Sequence, residues 1–253
     1  ATGTDNIDTA AARRRGIAVA NTRDYCTKAV VQHVFALVLC LTQNIIGYDR
    51  LSRSGAWSGS RSFALFDYPI RELADRSLGI VGYGSLGRSV AAVGRCFGMR
   101  VLVSARPNAR PDEIPADRLP FHEVLEQADV LSLHSPLNDD TYHMLGAPEL
   151  ARMKPDALLI NTARGGVMDY DALIEALTEG RLAGAGLDVF PNEPHIPAAL
   201  TQLDQVVLTP HIGTNTKEAR EGMARDAAHR ILEVAAGRTP PNVVAGGRSG
   251  GRA

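Results

Sequence analysis

The stretch Leu78-Gly79-Ile80-Val81-Gly82-Tyr83-Gly84-Ser85-Leu86-Gly87 constrains this chain more than any other. Its apolar start, residues 78–81, has the length and character of a buried strand. The run feeds Gly82-x-Gly84-x-x-Gly87, and residues 88–97 then read as a helix that Gly98 ends. Strand, glycine turn and helix in that order form the frame in which such a motif binds a dinucleotide. Gly82 suits the tight turn, Gly84 a close approach of backbone to pyrophosphate, and Gly87 close packing of helix on strand. The N–H groups at the helix start then face negative charge, with the helix dipole in support. An ordinary glycine-rich turn is the competing reading, and the residues farther along decide between them.

Short apolar runs at 101–103, 130–133, 158–160, 183–189 and 206–208 alternate with helical stretches, the signature of a parallel sheet joined by crossovers. Residues 171–179 are the clearest helix, with Asp169 as N-cap and Gly180 as stop. The pattern predicts an α/β fold with a Rossmann-type, doubly wound parallel sheet over residues 26–213. Ahead of it, 17–20 reads as a short strand and 27–46 as one long apolar helix ending at Gly47. His33 inside that helix reads as a packed or hydrogen-bonded core residue. Residues 51–70 scatter Trp57, Phe63, Phe66 and Tyr68 through serines and glycines, as an arm or interface loop does. The Gly/Arg/Ser stretch 245–253 is expected to be disordered.

With 253 residues, 45% of them apolar, the chain can bury one large or two modest cores. Its 27 basic and 28 acidic side chains nearly cancel, which argues against nucleic acid or a membrane surface as partner. The longest apolar run, 34–41, falls far short of the roughly 20 residues a spanning helix needs. Cys26, Cys40 and Cys96 have no paired spacing. They read as reduced thiols of a cytoplasmic protein, neither a disulfide framework nor a metal site. No N-terminal stretch has the make-up of a secretion signal.

Ligands of open parallel sheets bind outside the carboxyl ends of the strands. After 130–133 come His134-Ser135-Pro136-Leu137, and after 158–160 come Asn161-Thr162-Ala163-Arg164-Gly165-Gly166. The run 183–189 carries Asp188 and leads into Phe190-Pro191-Asn192-Glu193-Pro194; 206–208 leads into Thr209-Pro210-His211-Ile212-Gly213. An arginine, a glutamate and a histidine therefore share a rim with the nucleotide loop. Singly, Arg164 could cap a helix, Glu193 could be solvated and His211 could end a strand. All three together are harder to ascribe to chance.

These motifs, in this order, resemble the signatures of the D-isomer-specific 2-hydroxyacid dehydrogenases, in register from Thr2 to about Val244. The resemblance implies a nicotinamide dinucleotide cofactor, NAD(P)(H), and a catalytic trio of Arg164, Glu193 and His211. It implies that Gly82, Gly84, Ser85, Leu86 and Gly87 cradle the pyrophosphate and that Thr162, Ala163 and Asp188 line the nicotinamide half. Thr2 and Gly3 inherit the loop whose amides hold the substrate carboxylate. A homodimer is implied as well, with a smaller flavodoxin-like substrate domain of which residues 1–25 and 214–244 form part. The chemistry suits these residue types. A guanidinium fork can meet a carboxylate and a carbonyl oxygen, and it stabilises the charge that develops as hydride arrives. Histidine trades protons near neutral pH, and a glutamate beside it orients the ring and favours its charged form.

Two departures stand out. The family has more chain ahead of the Thr2-Gly3 loop, so the sequence reads as truncated at its N-terminus. The acidic residue expected about 20 residues past the glycines, on the ribose, gives way to Ser104-Ala105-Arg106-Pro107. Arg106, with Arg110 nearby, suits a 2′-phosphate and tips the expectation toward NADP(H); a merely exposed arginine is the alternative. Residues 67–73 resemble the glycerate dehydrogenase and hydroxypyruvate reductase branch, and residues 212–216 the phosphoglycerate dehydrogenase branch. The expected substrate is a small 2-oxo acid, hydroxypyruvate or glyoxylate. A nicotinamide-sensing corepressor without catalysis, or an inactive dehydrogenase fragment, would carry the same residues.

Overall fold

Apolar runs too short for a helix and free of alternation can be buried on both faces, and a parallel sheet does this. In the computed structural model, which describes residues 2–245, contacts divide the chain into two units, Val30–Gly213 and Ala1–Ala29 with Thr214–Ala253. The first elements are α1 (Thr9–Arg14), β1 (Val19–Ala20), α2 (Thr27–Thr42) and α3 (Ile45–Arg53). Next come β2 (Ser77–Val81), α4 (Ser85–Cys96), β3 (Arg100–Val103), α5 (Phe121–Gln127), β4 (Val130–Leu133) and α6 (Ala147–Leu150). The chain continues through β5 (Leu158–Asn161), α7 (Tyr170–Thr178), β6 (Gly184–Leu187), β7 (Val206–Leu208), α8 (Lys217–Ala235) and β8 (Val243–Ala245).

The unit Val30–Gly213 holds a six-stranded parallel sheet in the order β3-β2-β4-β5-β6-β7. Every position of β2, β4, β5 and β6 is buried. Outside β3 a single parallel bridge joins Ser104 to Leu119. Leu119 N donates to Val103 O at 2.9 Å, and Ala105 N to Leu119 O at 2.8 Å. Counting this one-residue edge, the chain traces the 3-2-1-4-5-6 order of dinucleotide-binding sheets, with β7 added as a seventh strand beside β6. Strand order reverses between β2 and β4, so the crevice opens where the glycine turn leaves β2 and His134 leaves β4. Val124 and Leu125 of α5 and Leu173 of α7 join Leu131, Leu133 and Leu159 in one fully buried cluster. The helix expected at 171–179 is α7: Asp169 Oδ1 accepts from Asp171 N at 3.0 Å and Ala172 N at 3.2 Å, and Gly180 ends it at φ 69°.

The long helix expected over 27–46 is instead two. α2 stops at Thr42 and α3 starts at Ile45, with a 60° bend between them. Asn44 adopts the left-handed conformation at φ 47°, and its Nδ2 donates to Pro69 O at 2.7 Å. Asparagine tolerates that conformation, and the apolar pattern running through Ile46 hides the break. Gly47 does not end a helix. It lies within α3, where a Cβ would stand 2.7 Å from the Tyr68 ring. Tyr48 Oη donates to Tyr68 O at 2.7 Å, so the start of the expected 51–70 loop is helical through Arg53 and its end is tied back to α3. Phe63 and Phe66 are 88% and 80% exposed.

In the unit formed by the chain ends, β1 and β8 pair antiparallel, Val19 with Ala245 and Ala20 with Val243. Asp8 caps α1 through Ala11 N at 2.7 Å, Thr216 caps α8 through Ala219 N at 3.2 Å, and Arg230 Nε donates to Asn21 O at 2.9 Å. Ala245 therefore belongs to a strand and not to the tail expected at 245–253; residues 246–253 lie outside the described residues. Among the described residues no single helix is long and apolar enough to cross a membrane.

Candidate active site

Gly82 has φ 95°, and a Cβ there would lie 2.6 Å from the His134 carbonyl carbon and 2.7 Å from Ser135 N. Only glycine combines that backbone with that approach, so the turn after β2 presses against the end of β4. At Gly87 a Cβ would lie 2.1 Å from Gly82 O; without one, α4 can start directly on the turn. Gly84 differs, because a Cβ there would meet nothing within 4 Å. It is the N-cap of α4 and supplies no side-chain bond, which leaves the opening amides, those of Ser85 and Leu86, without a side-chain cap. A helix end of this kind attracts phosphate. Farther along the same carboxyl edge, His134 Nδ1 and Thr162 Oγ1 are buried without a hydrogen-bond partner. Such atoms call for an explanation in any folded protein. An uncapped helix start, a glycine open to its surroundings and unpaired buried polar atoms together fit a nicotinamide dinucleotide.

β5, β6 and β7 are neighbours, in register at Asn161, Leu187 and Leu208, so three loops leave the sheet side by side. The fully buried Asn161 side chain staples the first. Its Oδ1 accepts from Ala163 N and its Nδ2 donates to Arg164 O, both at 3.0 Å. Arg164 Nη1 donates to Ala163 O at 2.8 Å. Gly165 seats this loop on the second, where a Cβ would stand 2.1 Å from the Phe190 carbonyl carbon. The Tyr170 hydroxyl donates to Val189 O and braces that second loop. In it, Glu193 Oε1 accepts from Phe190 N at 3.0 Å, and Oε2 lies 2.6 Å from His211 Nδ1 on the third loop.

His211 sits at φ 53°, a left-handed conformation that strains a histidine and persists only where neighbours over-determine it. Ile212 N and Gly213 N donate to Asp188 Oδ1 and Oδ2, both at 2.8 Å, and Thr209 Oγ1 donates to Oδ1 at 2.6 Å. Burial alone would push the Asp188 carboxyl up; the bonds from His33, Thr209 and the two amides outweigh it and hold the group below its usual range. With Nδ1 turned to a carboxylate, the His211 ring, 41% exposed, has its Nε2 outside this contact.

A family model described as "D-isomer specific 2-hydroxyacid dehydrogenase, NAD binding domain" matches residues 35–213. This chain belongs to the D-isomer-specific 2-hydroxyacid dehydrogenases. The dehydrogenase is 45% identical over 251 residues to a glyoxylate reductase of Thermococcus litoralis, covering 96% of this chain and 75% of that protein. It is 42% identical over 248 residues to a glycerate dehydrogenase of Methylorubrum extorquens, covering 96% and 76%. The crystal structure of the TT0316 protein from Thermus thermophilus superposes with a TM-score of 0.85 at 41% identity, covering 96% of this chain and 76% of that one. The dehydrogenase is thus an oxidoreductase of CH–OH groups that works with a nicotinamide dinucleotide.

Elsewhere in the dehydrogenase, Arg106 is exposed just past β3, with β2 and β4 between it and the Arg164 strand. Arg110 is turned to Glu113, Nε to Oε1 at 3.3 Å. Thr2 and Gly3 belong to the other unit, where Asn21 Nδ2 donates to Thr2 O at 2.7 Å. Asn161 and Thr209, to which the sequence assigns no role, hold the loops of Arg164 and His211. A polar residue closing an apolar strand was the available signal. Asp188, expected to line the nicotinamide half, also clamps the His211 loop through its carboxylate.

His134 carries a consequence for stability. Burial pushes its ring down from 6.5 to about 4, and Nε2 lies 2.9 Å from Ser132 Oγ. The folded chain therefore disfavours the charged ring that the unfolded chain accepts. This contribution is complete above the ordinary histidine range and is lost as pH falls toward 4. Unfolding by urea at pH 7 and at about pH 4.5 should differ by about 2–3 kcal/mol from this group alone. His134→Gln should remove that part of the difference, and an unchanged acid slope would refute it.

Proposed function

We propose that this chain reduces a small 2-oxo acid, glyoxylate or hydroxypyruvate, to the D-2-hydroxy acid and runs the reverse oxidation. The 2.6 Å contact between His211 Nδ1 and Glu193 Oε2, on loops adjoining that of Arg164, carries this reading. When bound, the nicotinamide supplies or accepts the hydride. His211 Nε2 gives its proton to the carbonyl oxygen as negative charge builds there, and takes the hydroxyl proton in oxidation. Glu193 fixes the ring and balances its charge. The Arg164 fork meets the substrate carboxylate and the carbonyl oxygen, orienting one and stabilising the other. Gly82, Gly84, Ser85, Leu86 and Gly87 cradle the pyrophosphate; Thr162, Ala163 and Asp188 line the nicotinamide half.

Residues 26–213 form the dinucleotide-binding domain in this reading, and 1–25 with 214–244 form part of the substrate domain, where the Thr2 and Gly3 amides hold the substrate carboxylate. The division of contacts after Ala29 and Gly213 supports it. The exposed Phe63 and Phe66 support an arm that joins a second copy in a dimer, and three free cysteines suit the cytoplasm. The names of the similar enzymes, glyoxylate reductase and glycerate dehydrogenase, support the substrate class.

The cofactor in this reading is NADP(H), bound through Arg106 at the ribose phosphate. Arg106→Ala should raise the KM for NADPH about tenfold, the worth of a charged hydrogen bond, and leave that for NADH unchanged. Equal KM values for the two cofactors in the unaltered protein would refute the preference. The activity is tested by following reduced nicotinamide absorbance over a panel of small 2-oxo acids with both cofactors. The panel uses this chain and a form extended at its N-terminus. Turnover of glyoxylate or hydroxypyruvate is expected; cofactor binding without turnover of any acid would replace catalysis by nicotinamide sensing.

A further inference from the structure

We infer that His33 of α2 is a positioning residue for His211, acting through Thr209 and Asp188. The inward positions of α2 around it are apolar: Val30, Val31, Val34, Phe35, Leu37 and Val38 are all buried. His33 interrupts that face with a ring whose Nε2 lies 3.0 Å from Thr209 Oγ1 and 3.3 Å from Asp188 Oδ1. Thr209 has one hydroxyl proton and directs it to Asp188 Oδ1 at 2.6 Å. Its contact with His33 therefore requires His33 Nε2–H as donor, which fixes the protonated nitrogen. One N–H thus supports both the threonine oxygen and the carboxylate.

What those two groups hold is the backbone on either side of His211. Thr209 O accepts from His211 N at 3.0 Å, and Asp188 takes the amides of the next two residues. The ring also packs on the far end of the loop, since a Cβ at Gly213 would lie 3.3 Å from His33 Cδ2. Asp188 is 2% exposed, so a lost donor is not replaced by water and the carboxylate must seek another. Glu193 is anchored separately, through Phe190 N. When His33 loses its donor, the imidazole moves and the glutamate stays.

The inference rests on His211 as the proton donor, and the test separates the two. His33→Leu removes the donor and keeps an apolar side chain, while His33→Gln returns an N–H at similar reach. The first readout is the NMR signal of the His211 Nδ1 proton, identified by its absence in His211→Asn and measured without substrate. The signal is expected in the unaltered chain, absent or exchange-broadened in His33→Leu, and restored in His33→Gln. The second readout is kinetic: kcat falls about tenfold to a hundredfold in His33→Leu, as small misplacement of a reacting group does. The cofactor dissociation constant stays near its original value, the thermal midpoint of His33→Leu falls by a few degrees with the lost donor to the buried carboxylate, and His33→Gln recovers both this and most of kcat. An intact His211 signal in His33→Leu overturns the inference. So does equal damage in both variants with a matching loss of stability, which marks His33 as a packing residue. If no variant and no unaltered chain turns over substrate while the signal follows the expected pattern, positioning stands and the catalytic reading falls.

Discussion

Replacing His211 by alanine is expected to lower turnover of the 2-oxo acid by about 10²–10⁴-fold, the usual worth of a positioned general acid. The dissociation constant for the reduced cofactor should change little, because no cofactor contact in the proposed site runs through this ring. Quenching of Trp57 or nicotinamide fluorescence measures the second quantity, and steady-state absorbance the first. Comparable losses in turnover and in cofactor affinity would place His211 in binding and not in proton transfer.

Gly165→Ala is expected to be strongly damaging for so small a substitution. Its Cβ would lie 2.1 Å from the Phe190 carbonyl carbon, 2.3 Å from Phe190 O and 2.5 Å from Pro191 N. These are backbone atoms, so no side chain can rotate away. Overpacking of this kind costs about 1–3 kcal/mol and sometimes more. The loops it forces apart carry Arg164 and Glu193, so kcat should fall with stability. Gly84→Ala provides the contrast: its Cβ meets nothing in the chain, so the thermal midpoint should hold while cofactor binding weakens. Denaturation curves and cofactor titrations on the two variants check the pair. Loss of stability in Gly84→Ala, or none in Gly165→Ala, would show that the two glycines do not divide their roles this way.

The reading of residues 27–46 shows where pattern fails. Apolar periodicity registers which side of a helix is buried, and it continues across Gln43 and Asn44 into Ile45 and Ile46. The left-handed turn at Asn44 depends on a bond to Pro69 O, 25 residues away, and no local pattern encodes that. The bridge at Leu119 is similar: one residue completes the sheet edge, too few to register as a strand. By contrast, α7 was legible at both ends, because Asp169 and Gly180 act on the backbone within three residues of themselves.

By itself, the sequence determined the run of parallel strands, the glycine turn after β2 and the family, since each is written in short, local segments whose chemistry needs no distant partner. It also determined which residues reach the carboxyl rim, because a residue that follows a strand has nowhere else to go. Tertiary structure alone decided how that rim is held. The seat of Gly165 on Phe190, the Asp188 clamp and the His33 donor join residues from about 20 to more than 150 positions apart. Hydrogen bonds and close packing act through space, and only the closed sheet brings those groups within reach of one another.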